Sequence, residues 1–358
     1  MDYVNAPQTD GKNAITFILG NGFDLNLRLK TRFKDMYDEY IETSSIIDAV
    51  NQFKEDLKSD SKKKYYKWSD FEMSMADYAK KLSSEEELIQ CTRDFKDHMV
   101  EHLKNENKRF REVIYNLPKE IQADIANEVN DSFDNFYLKL VKKKDIRKIS
   151  ALHQNPFQKE YYITFNYTKT LETILEYRKR LTKLEDPIHI HGDLDNHIIL
   201  GVDNMDQING AKYKFSNRGK RCFLKPFLNN ELDDLFIEDV KKVISDSSVI
   251  CIYGFSMGES DRMWNELIAQ WLNSSPQHHL VVFEHNADDF QGIHIDLIME
   301  HEEQQKLKVM KKLGVEKESK LDQIHIPIGK SIFNFDFWTG VIDSHFTNED
   351  TEKMLAKI

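Results

Sequence analysis

The stretch that decides the fold class is Ala14–Leu19 (AITFIL), which is followed directly by Gly20-Asn21-Gly22. An apolar run of strand length is typical of a strand that is buried on both faces, as strands are in a parallel sheet. The glycines predict a tight turn at its carboxyl end, because glycine adopts backbone conformations that other residues avoid. This opening is that of an α/β fold.

Strand-like segments return in the second half of the chain and alternate with helical patterns. The predicted strands are Tyr161–Tyr167 (YYITFNY), Ile188–Ile190, Ile198–Val202, Ser248–Gly254, His279–Phe283 and Ile324–Ile328. The predicted helices cover 229–245 and 287–313, with two more that are capped by Thr168 and Ser260 and the first of these running through Arg178. This alternation implies a mainly parallel sheet, here in a Rossmann-like fold.

Residues 29–147 differ from both flanks, since they hold Lys, Glu, Phe, Leu and Met at helical spacing and no convincing strand. Within them, Ser83-Ser84-Glu85-Glu86 predicts the capped start of a long helix. We therefore divide the chain into two parts. Residues 12–28 plus 158–340 are predicted to form a Rossmann-like nucleotide-binding domain, and residues 29–157 a helical insertion or lid.

The composition narrows the class of protein. Of 358 residues, 40% are hydrophobic and 31% are charged, which is globular, and the formal charge of −11 disfavours direct binding to nucleic acid. Three scattered cysteines favour a reducing compartment and form no CxxC pair for a structural zinc module. The apolar runs are too short to cross a membrane. We expect a cytoplasmic protein with no membrane partner and no metal.

Four polar clusters lie at the ends of predicted strands, where parallel sheets form their ligand crevice. They are Gly20–Asp24, Thr164–Thr168, His191-Gly192-Asp193 and Gly254–Gly258. Glycines in the first cluster would let the backbone approach a phosphate, although Leu25 replaces the third glycine of the full GxGxxG pattern. The amide of Asn166 can donate to and accept from a ligand, and His191 can act as a general base. Each group could instead have a structural role, such as capping a helix.

Two other chemistries fit parts of the same pattern. His189-Ile190-His191-Gly192-Asp193 resembles a metal-binding HxHxD run and would suit a metal-dependent hydrolase, but no later group of residues completes the ligand set. Gly254–Gly258 matches the G-x-S-x-G pattern of serine hydrolases. Bulky residues follow that serine, where a nucleophile elbow needs small ones.

The motifs also resemble a known family. Gly20–Leu25 (GNGFDL), with Leu29 and Thr31 after it, resembles the opening of the AbiH-type abortive-infection family of phage-defence proteins. Trp68–Glu72 (WSDFE) is similar to the W-x-D-x-E element of that family. The later blocks of the family are similar, in the same order, to Thr164–Glu172 (TFNYTKTLE), Ile190–Asp193 and Tyr253–Asp261 (YGFSMGESD). The resemblance implies antiviral defence with a phage-derived trigger.

More distantly, the same blocks resemble sirtuin-like NAD-binding domains. That resemblance implies that Gly20 and Gly22 contact the pyrophosphate of NAD, that Asn166 lies beside the nicotinamide ribose and that His191 is the general base. On the adenosine side it implies contacts from Gly254, Ser256 and Asn286. By analogy it also implies a homo-oligomer. Where those enzymes carry an aspartate two residues after the asparagine, this chain has Thr168.

The function that we predict is cleavage of NAD at the nicotinamide–ribose bond. Positive charge builds on the ribose as this bond breaks, so nearby carboxylates help, and Asp24 and Glu72 are the candidates, the second reaching in from the lid. Asn166 and His191 would position and deprotonate the water. The predicted binding set is completed by Asn21, Phe23, Thr164 and Tyr167. The alternatives are a module that binds NAD or ADP-ribose without cleaving it, and an interaction protein with an empty cleft.

Overall fold

The computed structural model describes residues 14–60, 71–153, 158–179, 184–208, 210–232, 235–283, 294–316, 318–327 and 332. Four segments that the sequence singles out lie outside these ranges. They are Trp68–Asp70 of the WSDFE element, Asn286, residues 287–293 of the predicted helix 287–313, and the end of the predicted strand Ile324–Ile328.

A six-stranded sheet forms the centre of the described structure. Its strands are β1 (Ala14–Leu19), β2 (Glu160–Thr164), β3 (Ile188–His189), β4 (Ser247–Tyr253), β5 (His279–Phe283) and β6 (Ile324–His325). They lie in the order β3-β2-β1-β4-β5-β6, and each of the five pairings is parallel. The strand order therefore changes direction between β1 and β4. In such open sheets, ligands bind outside the carboxyl ends of the strands at this point.

The strand β1 is buried on both of its faces, as the AITFIL run predicts. Ile15, Phe17 and Leu19 point into a core formed with the helices of one layer, while Ile18 belongs to a second core on the opposite face. This alternation follows from the two-residue period of a strand. Two layers of helices therefore cover the sheet.

The helices are, in chain order, α1 (Asn21–Asn26), α2 (Phe33–Glu42), α3 (Asp48–Asp60), α4 (Phe71–Ala79), α5 (Glu85–Asn116), α6 (Lys119–Asp134), α7 (Lys143–His153), α8 (Thr170–Leu175), α9 (Asn217–Phe223), α10 (Lys225–Leu232), α11 (Phe236–Ser245), α12 (Arg262–Ser274) and α13 (Ile295–Leu313). Short 3-10 turns lie at Phe136–Lys139, Met205–Ile208, Glu259–Asp261 and Glu318–Gln323. Within the described ranges, no helix has both the length and the apolar character of a membrane span.

The helices of residues 29–157 contribute to two different cores. The first half of α5 packs with α2, α3 and α4 around Phe71 and Phe95, and the segment 194–208 joins this core through Ile198 and Val202. The second half of α5, with α6 and α7, instead covers one face of the sheet through Phe110 and its neighbours. The long helix thus connects the sheet to the helical layer that stands over its edge.

The sequence predictions for the long helix and for three of the strands are confirmed, whereas β2 ends at Thr164 and not at the predicted Tyr167. Helix α5 begins directly after Ser84, whose Oγ accepts a hydrogen bond from the backbone N–H of Glu87 at 3.3 Å, as an N-cap does. The strands β1, β4 and β5 lie within one residue of their predicted bounds.

Four local predictions are wrong. Ile198–Val202 forms only two isolated bridges and no strand, because its apolar side chains are buried in the helical core. Thr168 does not cap α8, which begins after Lys169, and the Asp261 that precedes α12 displaces Ser260 from the capping position. The helix predicted over 229–245 is described as two helices, α10 and α11.

Candidate functional site

The turn after β1 packs tightly against the loop that follows β4. The backbone N–H of Gly22 donates to the carbonyl of Gly254 at 2.9 Å. A Cβ on Gly22 would lie 2.5 Å from the Cα of Gly254, and one on Gly20 would lie 2.5 Å from the Cα of Phe255. Only glycine fits such distances, so these residues are needed here for the close approach of two loops.

The other members of this first cluster are held by the fold. The amide of Asn21 bonds to Thr31, accepting from its Oγ1 at 2.5 Å and donating to its carbonyl at 3.1 Å. Phe23, predicted as an aromatic wall of the ligand site, is fully buried in the core on one face of the sheet. The ring is therefore a packing element of the described structure.

Asp24 is a buried carboxyl that joins the exits of β1 and β2. Its Oδ1 accepts from Asn166 Nδ2 at 2.9 Å, and its Oδ2 accepts from Thr168 Oγ1 at 2.6 Å. Burial raises the pKa of Asp24 from 3.8 to about 7, although both hydrogen bonds oppose the rise. The carboxyl can thus gain or lose a proton near neutral pH, which is a property of catalytic acids and bases.

Asn166 and Thr164 are both buried at the exit of β2. The Oγ1 of Thr164 accepts from the backbone N–H of Asn166 at 3.1 Å, which fixes the turn. While Nδ2 of Asn166 is bonded to Asp24, its Oδ1 is buried and has no hydrogen-bond partner among the described residues. An acceptor left unsatisfied in this way costs stability, and a ligand donor would satisfy it.

His191 forms an acid–base pair with Asp261 at the exit of β3. Its Nε2 lies 2.8 Å from Asp261 Oδ1, and its Nδ1 is buried without a hydrogen-bond partner in the described ranges. The ring packs edge-on against Phe165, which itself stacks on Phe255 at a centroid distance of 3.9 Å. Asp261 therefore orients the imidazole and leaves one ring nitrogen for chemistry.

Lys225 lies at the centre of the charged groups around His191, and sequence analysis missed it. Its ammonium is 2.6 Å from Glu72 Oε2, 2.9 Å from Asp261 Oδ1 and 3.4 Å from His191 Nε2. Burial lowers the pKa of Lys225, but the carboxylates of Asp261 and Glu72 outweigh it and raise this pKa well above its ordinary value. Lys225 thus carries a permanent positive charge in the core.

Glu72, predicted as a catalytic carboxylate, extends from α4 and holds this cluster together. Its Oε1 accepts from the backbone N–H of Gly201 at 3.0 Å, and its Oε2 binds Lys225. Burial raises the pKa of Glu72, and the positive charge of Lys225 opposes the rise. Both oxygens are therefore engaged within the protein, so Glu72 acts on the site through Lys225.

Asp203 is an acidic residue near this cluster, and sequence analysis missed it as well as Lys225. Its Oδ2 accepts from the backbone N–H of Met263 at 2.8 Å, and its Oδ1 is buried with no hydrogen-bond partner in the part of the chain described. Burial raises the pKa of Asp203 to about 6, with Lys225 as the main opposing charge. Lys225 and Asp203 belong to none of the sequence motifs, and no local pattern identifies either of them.

His189 ends β3 two residues before His191, and each of its ring nitrogens has a hydrogen-bond partner. Its Nδ1 lies 2.9 Å from the carbonyl of Asn166, and its Nε2 lies 2.7 Å from Glu172 Oε1. Asp193, the last member of the HxHxD run, binds Lys169 at 2.8 Å. While these bonds are intact, the run offers no free His189 nitrogen to a metal ion.

The described residues contain one grouping with the spacing of a metal site, and it lies away from this edge. Asp134, His153 and Glu160 bring their ligand atoms within 4.8 Å of one another. The guanidinium of Arg178 lies 2.7 Å from a carboxylate oxygen of Asp134 and 2.7 Å from one of Glu160. The grouping is therefore part of a salt-bridge network of the fold.

The loop after β4 carries the G-x-S-x-G pattern without the geometry of a nucleophile elbow. Ser256 is exposed, and the strained left-handed residue is Met257, at φ 52°. A 3-10 turn separates this loop from α12, whereas an elbow leads straight from strand to helix. Gly254 has φ 68°, which serves the contact with Gly22.

Tyr167 bridges the site and the helical core. Its hydroxyl donates to the carbonyl of Ile199 at 3.3 Å, and its ring lies 6.4 Å from that of His191. Burial raises the pKa of Tyr167 well above its ordinary value, so the phenol stays neutral. The contacts of Gly22 with Gly254, of Asp24 with Asn166 and of His191 with Asp261 therefore bring the exits of β1, β2, β3 and β4 together, as the four clusters predict.

A model of a known protein family covers most of the chain and the site described above. The model of the family described as "Bacteriophage abortive infection AbiH" matches residues 16–283. The chain belongs to the AbiH family. This family indicates a role in phage abortive infection. No curated protein matches the chain in sequence. The matched range contains all four strand-end clusters together with Glu72, Lys225 and Asp261, so the charged site lies within the part that defines the AbiH family.

Proposed function

We propose that this AbiH protein binds NAD at the carboxyl edge of its sheet and hydrolyses the bond between nicotinamide and ribose. The strand order supports the proposal, because 3-2-1-4-5-6 is the order of Rossmann sheets, which bind dinucleotides where that order reverses. The turn after β1 and the loop after β4 flank this point, and Asp24 and Asn166 meet beside it. Loss of NAD would then end the growth of an infected cell, and a phage component would be the trigger.

The observation that carries the proposal is the pair formed by His191 and Asp261. With Nε2–H donated to the carboxylate, Nδ1 of His191 has a lone pair and can remove a proton from the attacking water. Lys225 keeps Asp261 ionised, and Glu72 holds Lys225 in place. Glu72 and Lys225 are thus positioning residues, which act on the base through Asp261.

Asp24 would provide the second requirement of the reaction. Cleavage builds positive charge on the ribose, and a carboxylate beside it stabilises that charge. With a pKa of about 7, Asp24 is ionised in a large fraction of molecules at neutral pH, and positive charge on a bound substrate would increase this fraction. The free Oδ1 of Asn166 is then available to accept from a ribose hydroxyl or from the water.

The experiment is a nicotinamide-release assay on the full chain with and without lysate from phage-infected cells. We expect His191→Ala to reduce the rate by about a hundredfold to ten-thousandfold, the usual contribution of a general base. His294→Ala is the matched control, because His294 is exposed and precedes α13. Release at the parental rate by the His191 variant would contradict the assignment, and absence of release under all conditions would contradict hydrolysis itself.

A second function is favoured by one specific observation. Asn166 and Thr168 both donate to Asp24 in the described structure, and Thr168 stands where the sirtuin-like enzymes that the motifs resemble carry an aspartate. These bonds would suit a site that binds NAD or ADP-ribose as a signal and leaves it intact. In that case NAD would raise the melting temperature without release of nicotinamide, since a ligand that binds only the folded state stabilises it.

A further inference from the structure

A cavity of about 590 Å³ lies beside β3, the outer strand of the sheet next to the His191 site. Ile190 and Gly192, the two neighbours of His191 in the chain, both line it. Its volume is within the range of pockets that bind small molecules. The cavity is therefore a binding site in size, and it shares one chain segment with the proposed base.

Two polar atoms of the cavity lining have no hydrogen-bond partner among the described residues. One is Nδ2 of Asn229, whose residue is only 4% exposed. The other is Oε2 of Glu172, whose Oε1 is already engaged by His189 and Lys169. Buried polar atoms are rarely left unpaired in folded proteins. The residues that line the cavity thus carry one buried donor and one buried acceptor that a ligand could pair.

The charge of the lining indicates which ligands it disfavours. Glu172, Asp186 and Asp193 supply three carboxylates, and Lys169 supplies one ammonium, which already binds Asp193 and Glu172. Burial raises the pKa of Glu172, but His189 and Lys169 outweigh it and hold this pKa below its ordinary value. An excess of carboxylates repels phosphate groups, so the ligand is uncharged or cationic.

The remaining wall is apolar and partly aromatic. Phe236 of α11 and Leu232 of α10 line the cavity together with Ile188 and Pro187 of the β3 segment. Leu232 is 51% exposed, so its side chain is accessible to a ligand. An aromatic ring beside aliphatic side chains is a surface on which a planar ring can stack.

We propose that this cavity holds one of the two heteroaromatic bases of NAD, and that it excludes the phosphates. The chemistry shared by both bases is a planar ring that carries an acceptor next to an amino donor. In nicotinamide this is the carboxamide, and in adenine it is the ring nitrogen beside the exocyclic amine. Asn229 would donate to the acceptor, and Glu172 would accept from the amino group. The inference rests on the proposed function, whose site it extends.

The test is isothermal titration of the full chain with four probes: nicotinamide, adenosine, nicotinic acid and inosine. Nicotinic acid replaces the amide by a carboxylate, and inosine reverses the donor and acceptor of adenosine. We expect nicotinamide or adenosine to bind, and the matched analogue to bind at least about tenfold more weakly, as the loss of a buried hydrogen bond implies. Whichever base binds identifies which half of NAD the cavity takes. Binding of neither, or equal binding of an analogue, would overturn the proposal.

A pair of variants on α10 locates the binding. Asn229→Ala should weaken binding of the base by about tenfold. Asn230→Ala, on the exposed face of the same helix, should leave the binding affinity unchanged. If Asn229→Ala does not fold, Phe236→Ala replaces it, because it removes the stacking wall from a half-buried position. Unchanged affinity in the folded variant would overturn the proposal.

The failure of this inference and the failure of the proposed function have different signatures. Release of nicotinamide by a chain that binds neither isolated base would contradict the cavity alone. Binding of a base by a chain that never releases nicotinamide would contradict hydrolysis and support the cavity.

Discussion

Replacing Asp24 by asparagine should make the protein more stable while it abolishes activity. Asparagine has the shape of aspartate, and its oxygen can still accept from Asn166. Its new amide can donate to the hydroxyl of Thr168, which is able to reverse its role. The substitution thus removes a buried charge and keeps both contacts.

The magnitude follows from the pKa of Asp24, which burial raises from 3.8 to about 7. Between these pH values the folded protein binds more protons at Asp24 than the unfolded chain, so the free energy of unfolding falls as the pH rises. A difference of about three pH units corresponds to about 4 kcal/mol at about 1.36 kcal/mol per unit. This is the cost of burying the carboxylate above pH 7, and asparagine would remove it.

Urea unfolding of the parent and of Asp24→Asn from pH 5 to pH 8.5 measures the effect. The stability difference between the variant and the parent should widen by about 2–3 kcal/mol from pH 5 to pH 8, because about two of the three pH units over which Asp24 costs stability lie above pH 5. Asp193→Asn is the matched control with the opposite sign. Burial raises the pKa of Asp193, but Lys169 outweighs it and lowers this pKa to about 2, so losing the charge should destabilise the fold.

Two results would refute this reasoning. A constant difference between the curves across the pH range would mean that Asp24 does not titrate near neutrality in the folded state. A variant less stable than the parent at pH 8 would mean that the carboxylate is held by stronger contacts than those with Asn166 and Thr168.

Three further predictions concern single side chains. Gly22→Ala should lower the unfolding free energy by about 1–3 kcal/mol or more, since its Cβ would meet Gly254; urea unfolding measures this. Lys225→Met should destabilise by about 3–5 kcal/mol by leaving two buried carboxylates unpaired, again by urea unfolding. Burial lowers the pKa of His279 to about 3, so stability should fall with pH below 6.5, and His279→Gln should flatten that slope in an acid titration.

The sheet could be predicted from the sequence because its strands are continuous apolar runs. Burial on both faces leaves AITFIL apolar except for Thr16, whose hydroxyl bonds to that of Ser247 on β4 at 2.6 Å. The runs of β4 and β5 are likewise apolar after the serines and the histidine with which they begin. Ile198–Val202 shows the limit of this reasoning. Its apolar residues are equally buried, but they pack against helices, and no strand among the described residues pairs with them. A short apolar run has the same sequence pattern in a buried strand and in a buried segment that is not a strand.

The convergence of the strand ends could also be predicted, whereas the charged cluster around His191 could not. Parallel strands bring their carboxyl ends together, so Asp24 and Asn166 were expected to meet. Lys225 is the first residue of α10, and its partner Glu72 lies 153 residues away in the sequence. No local spacing reports a contact of that range, and the sequence identifies Asp261 only as the last residue of the family block Tyr253–Asp261, without a role of its own.

The position of Lys225 argues that the helical layer is part of the site and does more than cover it. Glu72 belongs to α4, Lys225 to α10, and His191 to the exit of β3, so one ammonium joins three separate elements. Removing charges from water costs several kcal/mol per ion, and an apolar core of the same volume would be at least as stable. The proposed role of His191 as a base would explain why the fold keeps this cluster beside a histidine whose buried Nδ1 has no hydrogen-bond partner among the described residues. Movement of α4 would change the position of Lys225 and with it the charge beside Asp261, so the helical layer has a direct physical route to the base.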